Sequence, residues 1–193
     1  MKKFVLAALG AASMIAVAAP AAAQTVTGTV NITGSVANKC SVSPGSGSTF
    51  TSTVPLGELA QADGTMATDL STRFNTAGPA LLSFKVVCNT ATPTVAVDAT
   101  QLTTGGGTAP SGYAARIDYN ANVSVALTSG GPQVFSNDSR NAAGTATATT
   151  ARIANSAGNV SITADTFGTA APTDLLVAGA YTGNISIVIA PGA

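Results

Sequence analysis

Across residues 26–36 every even position is Val, Ile or Gly and every odd position is Thr, Asn or Ser. A period of two is the mark of a strand with one buried face. Residues 24–36 would span roughly 40 Å when extended, well beyond an ordinary strand. A strand of that length at one end of a chain can pair away from its own domain. The alternation recurs downstream in Leu82, Phe84, Val86 and Cys88, then in Val95 and Val97 within residues 94–99. The second of these is expected to pair with the first across a turn at 89–93. Tyr113, Ala115, Ile117 and Tyr119 make one inward row and Val123, Val125 and Leu127 another. The turn-like Asn120-Ala121-Asn122 between them predicts a hairpin. Val160, Ile162 and Ala164 form a further short strand, followed by a turn at 167–172. The last row is Tyr181, Gly183, Ile185, Ile187 and Ile189. Residues 53–57 read as a short strand closed by Gly57, residues 58–79 as polar and irregular, and residues 129–158 as surface loop with short strands. No stretch repeats apolar residues at helical spacing over a dozen positions. Short alternating runs with frequent turn residues predict an all-β sandwich or barrel.

The start of the chain has a different pattern. Lys2 and Lys3 precede an apolar run over residues 4–19, then Pro20 and the small exit Ala21-Ala22-Ala23. This is the pattern of a secretory signal peptide over residues 1–23, and it fits better than an uncleaved anchor because the polar Gln24 follows at once. No cysteine at the cleavage point offers a site for lipid. The expected organisation is a signal peptide at 1–23, a strand at 24–36 and a single domain at 37–193. About 170 exported residues suit one domain with a real core. Loss of Lys2 and Lys3 leaves six basic residues against eight acidic ones, a net charge of −2. A charge-poor, weakly acidic surface lacks the basic stripe that nucleic acid requires.

Cys40 and Cys88 are the only cysteines. In an exported protein an even number is most simply a disulfide. Two cysteines in a chain without histidine cannot make a usual zinc shell, so no metal is expected. The absence of histidine also excludes Ser-His-Asp and Cys-His catalysis. The eight acids are scattered over loops, no two are marked as an acid/base pair, and there is no Trp to line a sugar cleft. No catalytic residue and no cofactor is expected. Glu58, Asp63 and Asp69 lack the spacing of a calcium loop. The Gly105-Gly106-Gly107 triplet lacks the Lys-Ser/Thr and the helix of a phosphate-binding loop. Asn137-Asp138-Ser139 matches a glycosylation triplet, a match that chance supplies in a chain so rich in Asn, Ser and Thr.

The order of these features resembles the spore coat protein U domain family, which includes major subunits of archaic chaperone–usher pili. The resemblance runs over most of residues 24–193. It is carried by Val26-Thr27-Gly28-Thr29-Val30 ahead of Cys40-Ser41-Val42, by Pro55-Leu56-Gly57, by Phe84-Lys85-Val86-Val87-Cys88-Asn89, and by Gly179-Ala180-Tyr181 before Ile185, Ile187 and Ile189. It implies an immunoglobulin-like β-sandwich that lacks its last strand and is completed by the N-terminal strand of the next subunit. On that pattern Val26, Gly28, Val30, Ile32, Gly34 and Val36 are the donor row. Ile185, Ile187 and Ile189 lie on a strand flanking the acceptor groove, and Cys40 and Cys88 form the family's bridge. The implied partners are like subunits in a homopolymer, with a periplasmic chaperone and an outer-membrane usher during assembly. The implied role is a surface fibre in adhesion or biofilm formation, with no insertion of the mature chain into a membrane. The chain departs from the pattern at Gly183, where the family usually has an acid, and in the tail Pro191-Gly192-Ala193. A related group of secreted bacterial β-sandwiches shares the Tyr181-Thr182-Gly183 ending, which gives the alternative of a non-polymerising surface or coat protein.

Overall fold

The computed structural model describes residues 28–43 and 49–192. The expected signal peptide and Val26 lie outside the described residues. In chain order the elements are β1 (Cys40–Ser43), α1 (Leu70–Asn75), α2 (Pro79–Leu82), β2 (Ser83–Cys88), β3 (Thr94–Ala99), β4 (Leu102–Thr103), β5 (Tyr113–Ala114), β6 (Arg116–Val125), β7 (Gln133–Asp138), β8 (Thr147–Ala148), β9 (Val160–Gly168), β10 (Leu175–Leu176) and β11 (Ile185–Ala190). The protein is all-β, with two short helices, and its larger sheets are antiparallel. One sheet has the order β1-β2-β9-β6-β4, with β7 also paired to β6, and a second has the order β11-β3-β8. β5 and β10 form a small parallel pair.

The core lies between the two larger sheets. Ala121, Val123 and Val125 of β6 are fully buried, together with Val160 and Ala164 of β9. They pack with Val95, Val97 and Ala99 of β3 and with Phe135 of β7. Val95, Val97, Val123, Val125, Val160 and Ala164 belong to the inward rows that the alternation predicts, whereas Ala121 and Phe135 do not. The outward residues Asn120, Asn122 and Ser124 of β6 alternate with them, as the strand period demands. A smaller cluster of Leu70, Ala67 and Ile117 closes one end, with Met66, Leu176 and Tyr181 against it.

Six expectations are corrected. Residues 116–125 form one continuous strand, so Asn120-Ala121-Asn122 sits inside β6 and does not turn a hairpin. Its partners on either side are β9 and β7, registered through Asn120, Ala121 and Asn122. β3 does not pair with β2; it pairs with β11, which places the chain's last strand beside its third. The polar stretch 58–79 contains α1, which begins at Leu70 because that side chain enters the smaller cluster. An i,i+4 ion pair from Arg73 to Asp69, 2.8 Å, braces this single turn and a half. Phe167 belongs to β9 rather than to a turn. Finally, residues 28–39 are in no strand, the one bond that continues the β1–β2 ladder being from the Asn89 amide to the Lys39 carbonyl, and residues 53–57 are in none either. A strand is defined by a neighbour, and period two alone does not supply one.

Candidate functional site: a groove between two unpaired strand edges

β1 pairs with β2 over the register Cys40↔Cys88, Ser41↔Val87, Val42↔Val86 and Ser43↔Lys85. Its other edge has no ladder partner among the described residues. β11 pairs with β3 over Ile185↔Ala99, Ile187↔Val97 and Ile189↔Val95, and its other edge is likewise unpartnered among the described residues. A groove of about 550 Å³ runs between these two edges. Cys40 and Val42 line one wall, Ile185, Ile187 and Ile189 the other, and Phe84, Val86 and Ile162 lie in it. No charged side chain lines it among the described residues. The Ile row is half-buried while Ser186 and Val188 on the same strand are exposed, so one face of β11 meets the core and the groove together. The resemblance implies a groove-flanking strand for this row; in the structure its three side chains are among the lining of this groove.

The rest of the lining was not legible from the alternation. Residues 50–56 lie along the groove without ladder bonds, directing Phe50, Val54 and Leu56 inward. Phe50 stacks on Phe84 with ring centroids 4.3 Å apart. At the Ile185 end, Tyr119 stacks on Phe167 at 5.3 Å and donates its hydroxyl to the Asn184 carbonyl at 2.9 Å. Burial, assisted by the nearby Asp98 charge, pushes the Tyr119 phenol up to about 12. It is therefore a neutral donor at any ordinary pH, and it fixes the residue at which β11 begins. Tyr181 donates to the Ala114 and Val177 carbonyls at 2.8 and 3.0 Å, which pins the chain just before β11. Gly183 crosses close above residues 100–101. A Cβ there would stand 2.8 Å from the Thr100 carbonyl oxygen and 2.9 Å from that of Gln101, so no acidic side chain fits at this position.

Cys40 and Cys88 are joined in a disulfide. They face each other directly in the register, so the bridge holds β1, the groove's shorter wall, onto β2 at the point where the chain enters the domain. Of the predicted donor row, Val30, Ile32 and Val36 are 85%, 92% and 81% exposed. Gly28 and Gly34 are also exposed, with open space around their α-carbons.

The other chemistry considered from the sequence has local explanations. Asp63 accepts from the Thr65 amide and hydroxyl at 3.0 and 2.7 Å, and these bonds hold its carboxyl below the usual range. Asp69 is committed to Arg73, which also donates to the Leu56 and Glu58 carbonyls. Asn137, the head of the glycosylation triplet, is buried. Its amide accepts from Ala99 N–H at 2.9 Å and donates to the Ala142 carbonyl at 3.0 Å, which leaves no room for a glycan. Among the described residues no group of three acidic, Cys or His side chains could hold a metal, and no helix is long and apolar enough to cross a membrane. No family model, curated protein or solved structure matches this chain.

Proposed function

We propose that this protein is a structural subunit of a secreted surface fibre of the chaperone–usher type, assembled when the N-terminal strand of one copy fills the groove of the next. The fold is then an immunoglobulin-like sandwich short of one strand. The observation that carries this reading is that one chain has an uncharged groove between two edges unpartnered among the described residues and, ahead of β1, an alternating row with large exposed apolar side chains. The spacings agree. Val30 and Ile32 repeat every second residue, as Ile185, Ile187 and Ile189 do, so an added strand keeps step with β11 along its length. Backbone bonds to the open edge would supply affinity, and the alternate side chains would fix register. Full burial of Val30 and Ile32 would contribute about 1.5 to 3 kcal/mol each.

A contact between unlike patches propagates head to tail, and repetition of one such step gives a filament unless its rotation closes a ring. A groove of this kind exposes apolar surface and unpaired backbone until it is filled, which is why a periplasmic chaperone would cover it before assembly and an usher would hand it on. The deciding experiment is electrophoresis of the exported protein in detergent without boiling. A ladder of multimers that collapses to monomer on boiling is expected, because release requires unzipping a whole strand. A stable monomer at high concentration, with no ladder, would instead favour a non-polymerising coat or surface protein.

A further inference from the structure

The chain enters β1 through residues 37–39, and one side chain holds them. Asn89 follows Cys88 at the end of β2. Its Nδ2 donates to the Ala37 carbonyl at 2.8 Å, and its Oδ1 accepts from the Lys39 amide at 2.8 Å. Its own backbone amide donates to the Lys39 carbonyl at 3.2 Å. Its carbonyl, which an ordinary antiparallel pair would offer to Lys39, is taken by Arg152 Nη1 at 2.8 Å. The Asn89 amide therefore continues the ladder past Cys40↔Cys88 and keeps residues 37–39 in line with β1.

Entry of a chain's own residues 28–36 into its own groove needs the opposite geometry. β1 is one wall of that groove, so a segment lying beside it and joined to it through residues 37–39 must form a hairpin with those residues as its loop. A reversal there turns the peptide groups of Ala37 and Lys39 away from Asn89. We propose that Asn89 is a positioning residue that opposes self-closure of the groove and so keeps the N-terminal segment available to a second copy of this chain. The inference rests on the groove being strand-accepting, as proposed above.

The test is hydrogen exchange with mass spectrometry on the monomer fraction of the exported protein, read over residues 28–36. Wild type is expected to be open in this segment. Asn89→Ala should raise the ratio of closed to open monomer about tenfold, the equilibrium factor of roughly one net hydrogen bond, and should lower the yield of detergent-resistant multimer. Asn89→Asp keeps the acceptor for Lys39 but cannot donate to Ala37, so it should shift the ratio the same way by less. It carries the test if the alanine variant does not fold. Unchanged exchange over residues 28–36 in the folded variants overturns the inference, and does so even if wild type and variants polymerise equally well. A shift in exchange without any wild-type multimer upholds the clamp while removing the fibre reading.

Discussion

An asparagine side chain carries a carbonyl and an amide in the geometry of a peptide group, and this chain uses that likeness wherever a ladder stops short. Asn159 is buried and bonds both the N–H and the C=O of Val86, at 2.8 and 2.6 Å, just beyond the place where β2 and β9 cease to pair. Asn75 does the same for Ala164, with both bonds at 3.0 Å, tying α1 to β9. Asn137 and Asn89 serve β3 and the start of β1. Asn159→Ala would leave two buried backbone groups of Val86 unpaired, at about 1 to 3 kcal/mol each, so chemical denaturation should show a loss of at least ~2 kcal/mol. A loss of a few tenths would mean that water replaces the amide at no cost. Tyr119 gives a second expectation. Its phenol titrates near 10 when unfolded and about 12 when folded, so its burial stabilises fully below pH 10 and that contribution fades as pH rises through 12. Tyr119→Phe should cost about 1 kcal/mol at neutral pH through loss of the bond to Asn184, and should flatten the fall in stability between pH 10 and 12. Alternation marks which residues face inward within the sheets, and the rows of β2, β3, β6 and β9 do so; Tyr113 is exposed, and so are Val30, Ile32 and Val36 of the first row. Asn roles were illegible because the same residue type signals a turn when its partners are local and a ladder surrogate when they are seventy residues away.

Strand pairing shows the same boundary between local and distant information. Each strand can be located from its own residues, but its neighbours are chosen by the whole core. The alternation placed strands over 82–88 and 94–99 and suggested a hairpin, yet β2 pairs with β1 and β9 while β3 pairs with β11. Nothing in residues 89–93 reveals that choice. Residues 120–122 misled for a related reason: two Asn in a row of three look like a turn, but on the outer face of β6 Asn122 donates to Asp165 and accepts from Ser136 across the sheet, and Asn120 donates to Asn122 and Asp165. β1, one wall of the groove, is held through four residues on one partner among the described residues. The disulfide compensates by closing a loop with a sequence separation of 48, which should be worth about 4 kcal/mol by chain entropy. The double variant Cys40→Ser and Cys88→Ser should therefore lose roughly 2 to 4 kcal/mol on denaturation. Hydrogen exchange should place the first new opening in β1, while β6 and β9 stay protected, because their mutual ladder does not involve it and Cys40 and Cys88 pack only at the partly buried margin of their core. Equal loosening of β1 and β6 would show that the bridge supports the whole core and not one wall of the groove.

The molecule as a whole has a core that is complete in its centre and open along one seam. Leu70, Ile117, Val123, Val125 and Val160 are fully buried, yet Ile185, Ile187 and Ile189 are covered on one side only, and the seam between β1 and β11 has no strand among the described residues. That is an unusual state for a domain on its own, since an open edge beside an apolar surface invites unplanned pairing. On the proposed function the seam is one half of an intermolecular contact, with the alternating row Val26, Gly28, Val30, Ile32, Gly34 and Val36 as the other half. Ile32→Asp should abolish the multimer ladder while leaving the melting temperature of the monomer within a degree or two, because Ile32 is 92% exposed in the single chain and would set a charge against an uncharged groove only in the assembly. A strand that belonged to its own domain would instead lose monomer stability. The most direct measurement is to remove residues 24–36 and supply them as a separate peptide, following binding by calorimetry and size by light scattering. The truncated protein should bind one peptide per chain, melt at a higher temperature with it, and remain monomeric, because it keeps a groove and has no strand to offer. A truncated protein that ignores the peptide, and is as stable as the full chain without it, would contradict the account.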